Sequence, residues 1–514
     1  MSVAAAAIFT GVLAGATLAA EPPEKIALTG GRIVPVVGEE IEKGTIVIER
    51  GRIVAIGADV EIPYDATEID VTGRVLMPGM IDVHTARGMD IQNENVPVAP
   101  FLDVYDAIDP SQTFFEDALR MGVTSVHVMP GNNTVIGGVS RVVRPIGLTI
   151  SEMTVQPGVG LKLSATPRNG FDRMQQLAVL REAFLELDDY LGLLAETRYE
   201  EEQKKADKKV DVMPDEARKR GRELVRDEDL DDKHANLVRL RRGDLAAWIY
   251  VGAPTDVAPA IDIAQAQELK DHSVLVLGPE TFRAVNELAR FDRPVVLDEN
   301  LTWRERDPIT GELEEIFIPS RIYDAGLTFA LQSNPGASMA EGYLNYQAAM
   351  CVRNGIPRQT ALEAITLTPA NMLGLSDRLG SLEVGKTANI VVMSGDPLDF
   401  STWVEQVYID GILAYDRSKD RRLAKLVALE ESNRAQLEKA AAEETAAAEP
   451  EVEADAEADA ESNESEAKPA DESAPNAEEA VTPQRRRRGG QRDGQPGGNS
   501  SVSDNANDDG RTSE

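Results

Sequence analysis

The sequence has one cysteine, Cys351, and four histidines, His84, His127, His234 and His272. One thiol forms no internal disulfide and builds no multi-cysteine metal site, so cysteine usage is silent on compartment. Positive charge is also scarce. The chain carries 53 Lys and Arg against 88 Asp and Glu, a net charge of −35, and that field repels nucleic acid and anionic membrane alike. A phosphate-cradling loop is absent, since Gly137-Gly138 lacks the lysine of a nucleotide loop. No Ser-His-Asp or Cys-His arrangement stands out, and Cys351, in the helix-like run YLNYQAAMCVRNG, reads as a small buried thiol. The run Ser2–Ala20 has no charge and stops at Glu21-Pro22-Pro23. It reads as a signal peptide, with small residues for cleavage after Ala16 or Ala20, or as an N-terminal anchor, because the basic residues expected before the apolar stretch are missing. Export to the periplasm or the medium is the expectation.

What is present is enough for one large core and a smaller domain: 514 residues, 42% hydrophobic and 27% charged. From Lys25 to Met77 short branched stretches alternate with glycine turns, as in IALTGGRIVPVV and GTIVIERGRIVAIG, which predicts a small antiparallel sheet. The same pattern returns at ANIVVM, EQVYI and ILAY, around the turn Asp410-Gly411. Segments 25–77 and 385–416 are therefore expected to form one composite β-sandwich, with 78–384 between them as a separate body. There GVTSVHVM, GLKLSAT, WIYVG, SVLVLG, PVVLDE and LTFALQS alternate with amphipathic stretches. That rhythm predicts an α/β fold, a TIM-like (β/α)8 barrel. Residues 175–244 read as a charged helical insertion covering one side of it. After about Leu429 the composition turns to Ala, Glu, Ser and Pro, and Ala441–Ala480 holds 15 acids against one lysine. Residues 430–514 are expected to be a disordered tail, first acidic, then Arg/Gly-rich from Arg485 to Arg488.

The chain is organised around VLMPGMIDVHTARG, Val75 to Gly88, where Met80-Ile81-Asp82-Val83 reads as a buried strand delivering His84 to its C-terminal end. This stretch resembles the first barrel strand of the amidohydrolase superfamily, in which two histidines spaced by one residue point at a catalytic metal. Further matches are DPSQTFFEDALRMGVTSVHVMPGNNTVIGG, LKLSATPRNG and, most specifically, ALEAITLTPANMLGLSDRLGSLEVGKTANIVVMSGDPL. They resemble the imidazolonepropionase-like branch over roughly Ile26 to Asp416. The resemblance implies a hydrolase of carbon–nitrogen bonds other than peptide bonds, with a divalent metal such as zinc that acidifies a bound water and a strand-end acid that takes its proton. It also suggests a homodimer.

Carried over position by position, that machinery is mostly missing. His84 survives, but Ala86 holds the place of the second histidine. Tyr250 and Gly252 occupy the likely ligand positions of WIYVGAPTD, the next strand, SVLVLGPETF, offers Gly278 where a histidine is expected, and Asn334 of LQSNPGAS stands where the catalytic aspartate belongs. A complete zinc site is worth roughly 10–16 kcal/mol, and one imidazole keeps on the order of 3–4, about millimolar affinity. No cofactor is expected, and a zinc-like metal only if the site has been rebuilt. Substitute ligands for such a rebuilt site are His127, on the second barrel strand, and Asp298, which with Glu299 ends PVVLDE. Their ordinary readings are a packed core histidine and a cap of the next loop. His272 precedes a strand, at the face away from the chemistry, and His234 lies in the insertion. Asp82, Lys162 and Tyr250 are pocket candidates. Asp82 and Lys162 match residues of the family and are as readily explained by packing. Three readings follow: a pseudoenzyme that binds a small molecule in the barrel mouth, an active hydrolase with a rebuilt site, or an envelope-associated protein working through its tail.

Overall fold

The computed structural model describes residues 25–207, 212–333 and 343–447. The signal-like segment, Asn334 and the tail beyond 447 lie outside the described residues. By compactness the chain divides into residues 1–435 and 436–514.

The first unit opens with β1 (Lys25–Ile33), β2 (Ile41–Glu49) and β3 (Arg52–Gly57), an antiparallel run. Its strands β4 (Thr67–Asp70) and β5 (Val75–Pro78) lie parallel to successive stretches of β1.

Then comes the barrel: β6 (Met80–Thr85), α1 (Thr113–Arg120), β7 (Val123–Val128), β8 (Ile136–Val143), α2 (Ile150–Met153) and β9 (Thr154–Ser164). After β9 the chain forms helices α3 (Arg173–Lys205), α4 (Pro214–Gly221) and α5 (Asp232–Arg242), where the charged insertion was expected. The barrel resumes with β10 (Ala246–Val251), α6 (Pro254–Ala266), β11 (Ser273–Leu277), α7 (Val285–Phe291) and β12 (Val295–Val296). A hairpin of β13 (Thr302–Arg306) and β14 (Leu313–Phe317) precedes α8 (Ile318–Asp324) and β15 (Phe329–Ala330). Next are α9 (Leu344–Arg353), α10 (Arg358–Glu363) and α11 (Leu367–Met372). Strands β16 (Ile390–Met393), β17 (Val404–Ile409) and β18 (Ile412–Asp416) return to the first sheet, with β16 antiparallel to β5. The two distant segments thus share one eight-stranded sheet over a core of Leu28, Ile33, Ile46, Leu76, Ile390 and Tyr408. Helix α12 (Arg421–Ala447) follows. Residues 430–447, within the stretch expected to lack order, are therefore helical, in keeping with a run rich in Ala, Leu, Glu and Lys.

The barrel sheet holds eight strands in the order β15-β12-β11-β10-β9-β8-β7-β6. It departs from the all-parallel expectation at β8, which runs antiparallel to both neighbours. The link from β7 to β8, residues 129–135, falls short of the dozen or so residues that a parallel crossover needs, so the chain makes a hairpin. The ends β6 and β15 are not paired as strands. A short bridge joins them: Ile81 N donates to Ile365 O and Leu331 N to Ala364 O, both at 3.0 Å. Inside, Ile81, Val83, Trp248, Val274, Val276 and Val296 pack together, while Leu161, Leu163, Ile249 and Leu275 belong to the core shared with the helices.

Candidate functional site

At the C-terminal ends of the strands lies a cavity of about 400 Å³, lined by His84, Ala86, Arg87, Asn132, Asp298 and Gln332 among others. Barrel chemistry is placed at this end. A larger cavity, about 680 Å³, opens beside the strand starts at Ala246, Ser273 and Pro294, with His272 on its wall, and has none of those strand ends.

His84 reaches the barrel interior because β6 is irregular. Asp82 pairs with Val126 and Thr85 with Val128, so Val83 and His84 together face His127 alone. An extra residue of this kind bends a strand and re-aims its side chains. His84 Nδ1 lies 2.7 Å from Gln332 Oε1, and Nε2 lies 2.9 Å from Lys162 Nζ. Lys162, on β9 beside Trp248 of β10, is wholly buried and also donates to Asn132 Oδ1 at 2.6 Å. Its Nζ stands 5.5 Å from the centre of the Tyr250 ring. Burial pushes the Lys162 amine down to about 7. Burial, then the neighbouring lysine charge, holds His84 well below the usual imidazole range, so its ring is neutral.

Asp82 is fully buried and accepts the Ser333 hydroxyl and, at 3.3 Å, the Ser333 amide. Burial raises its carboxyl to about 6 despite those bonds. With His84–Gln332, this pair fastens β6 to the segment after β15. Asp298 is half-buried and raised by desolvation, and its Oδ1 takes both the Asn300 amide and side-chain hydrogen bonds at 2.9 Å. Tyr250 is raised by burial, then by the charges of Asp298 and Asp256.

The other candidates are placed as follows. His127 is buried, with Nδ1 at 2.8 Å from Val83 O and Nε2 at 2.7 Å from Ser140 Oγ, and its ring packs against Trp248. Both nitrogens are engaged away from the cavity. His234 stacks on Tyr190 and bonds Asp231, and His272 Nε2 bonds Leu240 O. Cys351 is buried, its thiol pushed up to about 12. Gly252 N donates to Thr166 Oγ1, which in turn donates to the buried Asp256. Gly278 is closed to any side chain, because a Cβ there would lie 2.5 Å from Gly252 O. Asn132, Gln332 and Ser333 complete the site and were missed by sequence reasoning; the available signal was the polar pair Gln332-Ser333 at a strand end.

These residues do not fit a catalytic metal. His84 Nε2 already lies against Lys162 Nζ and Nδ1 against Gln332 Oε1, and Ala86 offers a methyl group. Among the described residues, no group of three His, Cys, Asp or Glu side chains could hold an ion.

Comparison with known proteins agrees with this architecture. The Amidohydrolase family matches residues 333–415. An amidohydrolase, tasK, from Hapsidospora irregularis is 25% identical over 434 residues, covering 73% of this chain and 40% of that protein. An imidazolonepropionase of Streptococcus pyogenes serotype M2 is 28% identical over 116 residues, 21% of this chain and 28% of its own length. The chain thus spans less than half the length of these two curated relatives. The crystal structure of an amidohydrolase from Thermotoga maritima MSB8 superposes with a TM-score of 0.63 at 26% identity, over 76% of this chain and 100% of that one.

Proposed function

The chain belongs to the amidohydrolase superfamily, and from that premise we propose that its barrel mouth binds a small polar molecule without the divalent metal that such hydrolases use. The observation that carries this reading is the 2.9 Å contact between Lys162 Nζ and His84 Nε2. A cation of the chain itself stands on the one surviving imidazole, and a second cation beside it would meet direct repulsion. The cavity, rich in amide side chains and with acids at Asp298 and Glu299, supplies recognition, and its strand ends keep the site rigid. Hydrolysis of carbon–nitrogen bonds by a rebuilt site is the competing reading. It is disfavoured by His127, whose two nitrogens are engaged by Val83 and Ser140.

Elemental analysis of protein purified without added metal tests the proposal: less than a tenth of an equivalent of zinc, iron or manganese is expected, and a stoichiometric metal overturns it. We further propose export, on the uncharged run Ser2–Ala20. Mass spectrometry of the protein from cells checks this, with a mature N-terminus after Ala16 or Ala20 as the expected result.

A further inference from the structure

Lys162 is a wholly buried amine with no carboxylate paired to it among the described residues. Its neighbours are the His84 imidazole, the Asn132 amide oxygen and the face of Tyr250, all neutral. Among the described residues no carboxylate forms an ion pair with it, although charges removed from water are ordinarily paired. Both of its hydrogen-bond partners line the 400 Å³ cavity, so the counter-charge it lacks could come from there.

The lysine also dictates how the cavity wall is presented. An ammonium only donates. Asn132 therefore turns its oxygen to Lys162 and its NH2 group away. His84 must accept at Nε2, so its proton sits on Nδ1 and is given to Gln332 Oε1, which turns the Gln332 NH2 group away in the same manner. Two amide donors and one buried positive charge make this side of the mouth receptive to oxygen anions. The same cavity is lined by Asp298, whose two hydrogen bonds among the described residues both fall on Oδ1. A simple anion would be repelled by that acid. A molecule with a carboxylate at one end and an ammonium at the other satisfies both.

We propose that the ligand of the barrel mouth is a small amino carboxylic acid, its carboxylate serving as the counter-ion of Lys162 and its ammonium meeting Asp298. This rests on the metal-free reading of the site, because a metal on His84 would displace the lysine.

The test uses the full chain and calorimetric titration with the standard amino acids and 4-aminobutyrate, each beside its matched amine and its matched deaminated acid. At least one zwitterion is expected to bind about tenfold tighter than both of its matched controls. Lys162→Met should lose that affinity about tenfold or more, while circular dichroism shows the fold retained. Asp298→Asn, at a half-buried position, should bring the zwitterion down to the affinity of the plain acid. No binding by any probe, equal binding by the plain acid, or undiminished binding by Lys162→Met each overturns the proposal. A stoichiometric metal in the purified protein overturns the metal-free reading as well, whereas a metal-free protein that binds no zwitterion overturns this inference alone.

Discussion

Replacing Lys162 by methionine should stabilise the protein, against the usual direction for a buried, doubly hydrogen-bonded side chain. Burial moves the amine from 10.5 to about 7. At about 1.36 kcal/mol per pH unit, keeping the group charged costs up to about 5 kcal/mol. Methionine has a similar length and no charge. Its own cost is the lost hydrogen bond to His84 Nε2, about 1–3 kcal/mol for a buried acceptor left alone. Asn132 lines the cavity and can turn to water. The net gain is about 2 kcal/mol or more below pH 7. The sign with pH follows from proton counts: between about 7 and 10.5 the folded lysine binds fewer protons than the unfolded one, so the parent gains stability as pH rises through that window. The methionine variant lacks this gain, and its advantage should shrink by about pH 9. Urea unfolding followed by tryptophan fluorescence, with Trp248 in the barrel core beside Lys162, measures both. A variant several kcal/mol less stable than the parent below pH 7, or a parent whose stability is flat above pH 7, refutes the reasoning.

Asp82 works with the opposite group type. Its folded carboxyl is raised from 3.8 to about 6, so the folded state holds the extra proton and stability falls as pH rises from about 4 to 6, by up to about 3 kcal/mol; Asp82→Asn should flatten that slope in denaturant titrations. At Gly278 an added Cβ would meet the Gly252 carbonyl at 2.5 Å. Gly278→Ala should therefore cost about 1–3 kcal/mol by overpacking, and an unchanged thermal midpoint would show that β10 and β11 are looser than described. Zinc affinity should rise little in Ala86→His with Asn334→Asp and much more when Lys162→Ala is added, because only the triple variant vacates the His84 nitrogen; calorimetry that finds the double and triple variants equal would show that Lys162 does not guard it.

The sequence by itself determined the strand that carries His84, the meeting of the two distant segments, expected as a β-sandwich and found as one sheet, and the residue types at Ala86 and Gly278. These are local facts: a run of branched residues, a repeat of short strands, a residue type at one place in a motif. The antiparallel β8 stayed hidden because IGGVSRVV, with its two glycines, has the letters of a loop. Tertiary structure alone decided what the site does with what is left. The irregular register of β6 turns His84 inward, and the barrel brings Lys162 to it across 78 positions of sequence. No periodicity reports which nitrogen of an imidazole meets which donor, since that depends on the closure of the whole barrel. The charge of Lys162 then orients Asn132 and Gln332, because a pure donor leaves its partners only one way to face.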